Sequence, residues 1–269
     1  MKSTTVYLFI IVSIFSFISP NALAGSQSDA ASQHAPEQII KFAKDVEKYA
    51  ASKGARAFII ARVGRPEKDL PEGIKFTHTA VALYSNITLD NGEIVQGYAI
   101  HNLYQQSGKA NKSELVVDYP VDFFWGVHEL TAGILIPSAE VQDKLIDLIA
   151  SGKDKFLHNQ NYSVIANPFN STFQNCTEYT LDLLNSAIYN TQDVAQLKVN
   201  AKAHFQAQRV KTSPFKLFFG SMFMDDVTTQ DHNGKVYTTT FTTIGQYLRE
   251  NKLASEFITY TAAGDINSL

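Results

Sequence analysis

The 269-residue chain contains one cysteine, and its neighbours are those a nucleophile needs. In Gln174-Asn175-Cys176-Thr177-Glu178-Tyr179, Asn175 is a good helix N-cap, and Glu178 three residues later makes a capping-box-like pattern. Tyr179, Leu183, Leu184, Ala187 and Ile188 then recur at helical spacing as an inward stripe. Cys176 is thereby expected at the first helical position. There the helix dipole and the first-turn amides favour a thiolate and can also hold an oxyanion. A structural thiol would fall more naturally on the Tyr179/Leu183 stripe.

A nucleophilic cysteine needs a base, normally histidine. Of seven histidines, His34 lies near the N-terminus, and His158, His204 and His232 fall in polar or loop-like stretches. His78 stands inside an apolar strand pattern, where the two-residue period gives it a face shared with Phe76, Ala80 and Ala82. Alone, such a ring reads as a satisfied core histidine; with a helix-capping cysteine it reads as a base. The next strand offers His101 and Asn102 as the third group. They are adjacent, so they point to opposite faces, and only one of them can orient His78. A metal site from His78, His101 and His128 is the weaker reading, since no close-spaced ligand pair such as HExxH exists. No cofactor is expected: there is no glycine-rich phosphate loop.

These residues need elements to hold them. A helix is expected from Pro36 to a stop at Gly54, strands over 56–63 and 76–84, a hairpin turn at Leu89–Glu93, and a returning strand to Tyr104. Further strands are expected at 115–118, 132–136, 162–166 and 256–261. Further helices are expected from Ser138 to Ile149, Asn175 to Ile188, Asp193 to Phe205 and Thr243 to Glu250. Residues 206–235 read as irregular, with a strongly apolar piece at 215–224. Together these make one α+β domain over residues 36–269 with an antiparallel sheet.

Composition bounds the function. The chain is 45% hydrophobic and 18% charged, with a net charge of −3 and no basic stripe, so a nucleic-acid partner is not expected. One cysteine excludes an internal disulfide and any cysteine-cluster metal site. Lys2, an apolar run over 6–18 and Ala22-Leu23-Ala24 form a secretory signal pattern over residues 1–24, with cleavage after Ala24. The run is too short to span a bilayer, and no transmembrane segment follows it. Residues 25–35 read as a flexible leader. The destination is an oxidising compartment, where an unpaired thiol is buried, linked to another molecule, or kept for its reactivity.

A histidine on a strand, a polar residue on the next strand, and Asn-Cys-x-Glu at a helix start resemble the circularly permuted branch of the papain-like fold. That branch includes permuted NlpC-like hydrolases and the lecithin:retinol acyltransferase group. Nearly the whole mature chain also resembles an uncharacterised exported bacterial family, domain of unknown function 2145. The matching stretches are Gly64-Arg65-Pro66, Leu70–Ile74, Phe76-Thr77-His78, Tyr98–Gln105, Asp122-Phe123-Phe124, Tyr162–Pro168 and Gln174–Glu178. The resemblance implies an α+β permuted papain-like (NlpC-like) fold, with an antiparallel sheet packed against a cysteine-bearing helix. It also implies Cys176 as nucleophile, His78 as base, and Asn102 as third member with His101 as the alternative. Gln174, Asn175 and Glu178 are expected to supply oxyanion donors or support the site. The activity expected is a periplasmic or secreted thiol hydrolase or acyltransferase acting on a cell-envelope substrate. Peptidoglycan stem-peptide amides are one such substrate, and lipid ester or amide bonds, with Phe123-Phe124-Trp125 and 215–223 lining an acyl pocket, are the other. The competing class is a non-catalytic binding module on the same fold.

Overall fold

The computed structural model describes residues 32–211 and 226–269. The signal pattern, most of the leader and the apolar 215–224 stretch lie outside the described residues. Helix α1 (Pro36–Ser52) starts with proline, whose fixed φ suits the first turn, and stops where Gly54 takes φ +68°. A seven-stranded sheet follows: β1 (Ala57–Val63), β2 (His78–Thr88), β3 (Ile94–Gln106), β4 (Lys109–Asp118), β5 (Glu129–Pro137), β8 (Ala254–Thr261) and β9 (Ile266–Ser268). Its order is β4-β3-β2-β1-β5-β8-β9, with each neighbouring pair antiparallel. The β2–β3 hairpin turns at Leu89–Glu93, where Gly92 has φ +82° and the Leu89 N–H donates to Glu93 O at 2.8 Å. A two-stranded ribbon, β6 (Gln208–Arg209) with β7 (Tyr237–Thr238), stands apart.

Helices cover both faces of the sheet, which is why β1 is buried along its whole length without alternation. On one face, Ile39, Phe42, Ala43 and Val46 of α1 and Phe123 of the short α2 (Pro120–Phe123) pack on Phe58, Ile60, Ala80, Ala82, Tyr98 and Ile100. On the other, α3 (Ala139–Ala150), α4 (Cys176–Tyr189) and α6 (Phe241–Glu250) pack on Ile59, Ala61, Val81, Leu83 and Leu103. Helix α5 (Val194–His204) docks on α4. Helix α6 lies so close that a Cβ added at Gly133 of β5 would enter the Phe241 ring, and one at Gly245 the Phe257 ring.

Two expectations are corrected. The 162–166 strand is a single bridge at Tyr162 followed by turns: the Val164 N–H donates to Asp226 O and the Ala166 N–H to Ser163 O, so neither joins a ladder. Phe76 does not share the face of His78: it packs on Phe241 in the opposite cluster, since β2 begins only at His78 and the two-residue period does not extend upstream.

Candidate active site

Helix α4 begins at Cys176, with Asn175 as N-cap in extended conformation. The Asn175 Oδ1 accepts from the Glu178 N–H at 2.9 Å and from Thr177 Oγ1 at 2.8 Å. Its Nδ2 donates to Val164 O at 3.0 Å and Thr238 Oγ1 at 3.2 Å. One side chain thus starts the helix and pins that start to two loops. Cys176 is 5% exposed.

His78 opens β2, opposite Arg62 of β1, on the face covered by α1 and α2. Its ring lies in a sandwich of aromatic groups: it stacks on Tyr104 at 4.7 Å and 15°, and tilts against Phe123 at 5.5 Å. Arg62 donates to Phe123 O and lies over the Tyr104 and Phe123 rings. Burial and then the Arg62 charge hold the His78 pKa well below its usual value; the bond to Asn102 opposes them.

That bond, His78 Nε2 to Asn102 Oδ1 at 2.9 Å, fixes the imidazole tautomer. The Asn102 Nδ2 donates to Ile100 O at 3.0 Å and Asp118 Oδ1 at 2.7 Å, a carbonyl and a carboxylate. Neither a carbonyl nor a carboxylate can donate, so the amide cannot be turned round, and its oxygen must face His78. Nε2 therefore carries the proton, and Nδ1 keeps the lone pair. Nδ1 is buried and makes no hydrogen bond in the structure. As the side chains stand, then, the thiol and the imidazole are not hydrogen-bonded to each other.

The body of α4 packs on the opposite face of the sheet from His78. Its first turn nonetheless comes close enough for charge on Cys176 to act on the Tyr104 hydroxyl. That hydroxyl is raised above its usual value chiefly by burial, with Asp118 and Cys176 adding to the rise and Arg62 opposing it. Since Tyr104 stacks on His78, Cys176 and His78 border one group of residues at the end of the sheet.

The other expected residues divide. His101 pairs with Val81 in the register and faces the α4 side, where burial lowers its pKa and Asp154 opposes that shift. It makes no bond to His78, whose one ring bond goes to Asn102. Gln174 is engaged at both ends of its amide. Nε2 donates to Leu157 O and Asp182 Oδ2, and Oε1 accepts from the Asn159 N–H, so its side chain braces a loop instead of offering an oxyanion donor. Glu178 does not close a capping box. Lys198 draws its carboxylate away: Nζ donates to Glu178 Oε1 at 2.6 Å and to both Asp182 oxygens at 2.8 and 2.9 Å. Asp182 balances the Lys198 charge, and burial raises the surplus acid Glu178 to about 8. A cavity of about 310 Å³ opens beside this flank, lined by His158, Gln174, Glu178, Asp182 and Lys198 among others and by neither Cys176 nor His78. Phe123 and Phe124 are fully buried, and the 215–223 half of the expected acyl pocket lies outside the described residues.

Three residues around His78 are not singled out by the sequence pattern: Arg62, Tyr104 and Asp118. Two carry a signal nonetheless. Arg62 is the lone charge in the buried run AFIIARV, and Tyr104 stands two residues after Asn102, on the same face. Among the described residues no group of three His, Cys, Asp or Glu side chains is placed to hold a metal ion, and no helix is long and apolar enough to cross a membrane.

A mixed α+β protein with a large antiparallel sheet, a thiol at a capped helix N-terminus and an asparagine-held histidine is the class these features define. The chain belongs to the family described as an uncharacterized protein conserved in bacteria (DUF2145), which matches residues 49–248. No curated protein and no solved structure matches it.

Proposed function

We propose that this protein is an exported thiol hydrolase or acyltransferase on a permuted papain-like (NlpC-like) fold, with Cys176, His78 and Asn102 as its catalytic group. The observation that carries the reading is the His78–Asn102 bond, which leaves Nδ1 as a proton acceptor in the group of residues that Cys176 borders. In the reaction, His78 Nδ1 takes the thiol proton and the Cys176 sulfur attacks a carbonyl carbon. The first-turn amides of α4 stabilise the oxyanion. As the C–N bond breaks, the imidazolium returns its proton to the leaving amine. Water, or an acceptor amine or alcohol, then attacks the thioester. In this reading the thiol–imidazole hydrogen bond, absent from the structure, forms when substrate binds.

The substrate read for this site is an amide of the cell envelope, with the peptidoglycan stem peptide first. Export through the 1–24 signal pattern, cleaved after Ala24, would bring the protein there. The test is turnover of purified stem peptides, and of lipid esters and amides as the comparison. Amide cleavage is expected, and Cys176→Ser and His78→Ala should each lower it about as far as the double variant does, because the two act as a unit. Turnover that survives Cys176→Ser would remove the reading, and turnover of lipid substrates alone would reassign the substrate.

A further inference from the structure

Asp118 ends β4, opposite Ile100 of β3, and holds the His78 ring from two sides at once. Its Oδ1 accepts from the Asn102 amide at 2.7 Å. Its Oδ2 accepts from the Tyr104 hydroxyl at 2.8 Å. Asn102 bonds the edge of the imidazole, and Tyr104 is the plate on which it stacks. One carboxylate therefore ties together both groups that set where the ring sits and which nitrogen carries its proton.

We propose that ionised Asp118 is the positioning residue of this site, and that its protonation releases the Asn102 amide and so switches the His78 base off. The inference rests on the reading of His78 as the base. The physical reason lies in donors and acceptors. A carboxylate can only accept, so it holds the amide nitrogen and turns the amide oxygen toward His78. A carboxylic acid can donate. Asn102 can then give up its bond to Ile100 O and turn its oxygen to Asp118 and its nitrogen to His78, which makes Nε2 the acceptor and puts the proton on Nδ1. Nδ1 then has no lone pair for the thiol proton.

The groups facing Asp118 from the packed elements are Tyr104 and Asn102 of β3, Arg62 of β1 and Asp122 of α2. Burial, the largest influence, and Asp122 favour the acid; Tyr104, Asn102 and Arg62 favour the carboxylate, and the balance lies at about 6. Above about pH 6 Asp118 is therefore charged and the site is ordered, and as pH falls through that value the order is lost. The protonation of His78 itself lies lower than its usual value, because burial and Arg62 both oppose it.

Two readouts on the purified protein test this: nitrogen NMR of the His78 ring, and the rate at which iodoacetamide modifies Cys176, each followed against pH. In the native protein the Nε2–H tautomer is expected at pH 8, and both profiles should turn with a midpoint near pH 6. Asp118→Asn keeps the shape and an acceptor but cannot titrate. Its amide can donate as well as accept, so it fixes neither tautomer, but it should lose that midpoint from both profiles. Asp118→Ala should give mixed tautomers at pH 8 and a rate lower by roughly ten- to a hundredfold, the factor carried by a lost hydrogen bond to a charged group. A midpoint near 6 that persists in Asp118→Asn overturns the proposal, as does a pure Nε2–H tautomer in Asp118→Ala. If the alanine variant fails to fold, the asparagine profile still decides. Should the NMR behave as expected while stem peptides and lipids are never turned over, the positioning role stands and the proposed activity falls. Turnover with an unchanged Asp118→Asn profile keeps the activity and removes the positioning role.

Discussion

His78 is an unusual residue to bury. A neutral imidazole taken from water without partners is costly, and this one keeps a single hydrogen bond and trades the rest for two aromatic faces. Burial and Arg62 keep it neutral, so it rests in the form a base requires. Its partner, Asn102, could not be separated from His101 by spacing alone, since adjacent strand residues differ only in face. The register settles the geometry: His101 is opposite Val81, on the α4 side. Losing either Cys176 or His78 should cost nearly as much as losing both, and additive losses would mean that they do not work together.

At the helix start, Asn175 does more than its sequence position suggests. Besides capping α4 it donates to Val164 O and Thr238 Oγ1, joining the helix to the 162–166 loop and to β7. Asn175→Ala should therefore cost about 1–3 kcal/mol, above an ordinary cap, because it orphans buried partners as well. Thermal unfolding should fall by several degrees. An alanine variant that unfolds with the native protein would contradict the dual role. The regular elements were largely legible in sequence: α1 from Pro36 to Gly54, the hairpin from Asn91-Gly92, and α4 from its cap and stripe. Each is governed by local spacing or turn chemistry. The Glu178 side chain was not legible, because a lysine twenty residues on competes for it, and Asp118 was not, because its role exists only once β4 is paired with β3.

Across the whole molecule, Lys198 joins α5 to α4 through buried carboxylates. Such networks are a weak source of stability but expensive to break from one side. Lys198→Ala should lower the unfolding free energy by about 3–5 kcal/mol in urea, since it strands the buried Asp182 side chain without a cation. A loss under ~1 kcal/mol would mean that the carboxylates are neutral or hydrated there. The sheet carries a division of labour. Its α1/α2 face holds the His78–Asn102–Asp118 chain, and its α3/α4/α6 face holds the helix that presents the thiol. The proposed site would thus join two layers at the end of the sheet.

If Cys176 and His78 share a proton, the shape of the Cys176 alkylation profile against pH shows it most directly. Shape is the right quantity because Cys176 is only 5% exposed, which slows every rate alike. The native protein should alkylate from about pH 6 upward, well below the ~8.5 of a free thiol, and His78→Ala should return the profile to that ordinary titration. A native profile that rises only at ~8.5 or above, or one that His78→Ala leaves unmoved, would contradict the pairing.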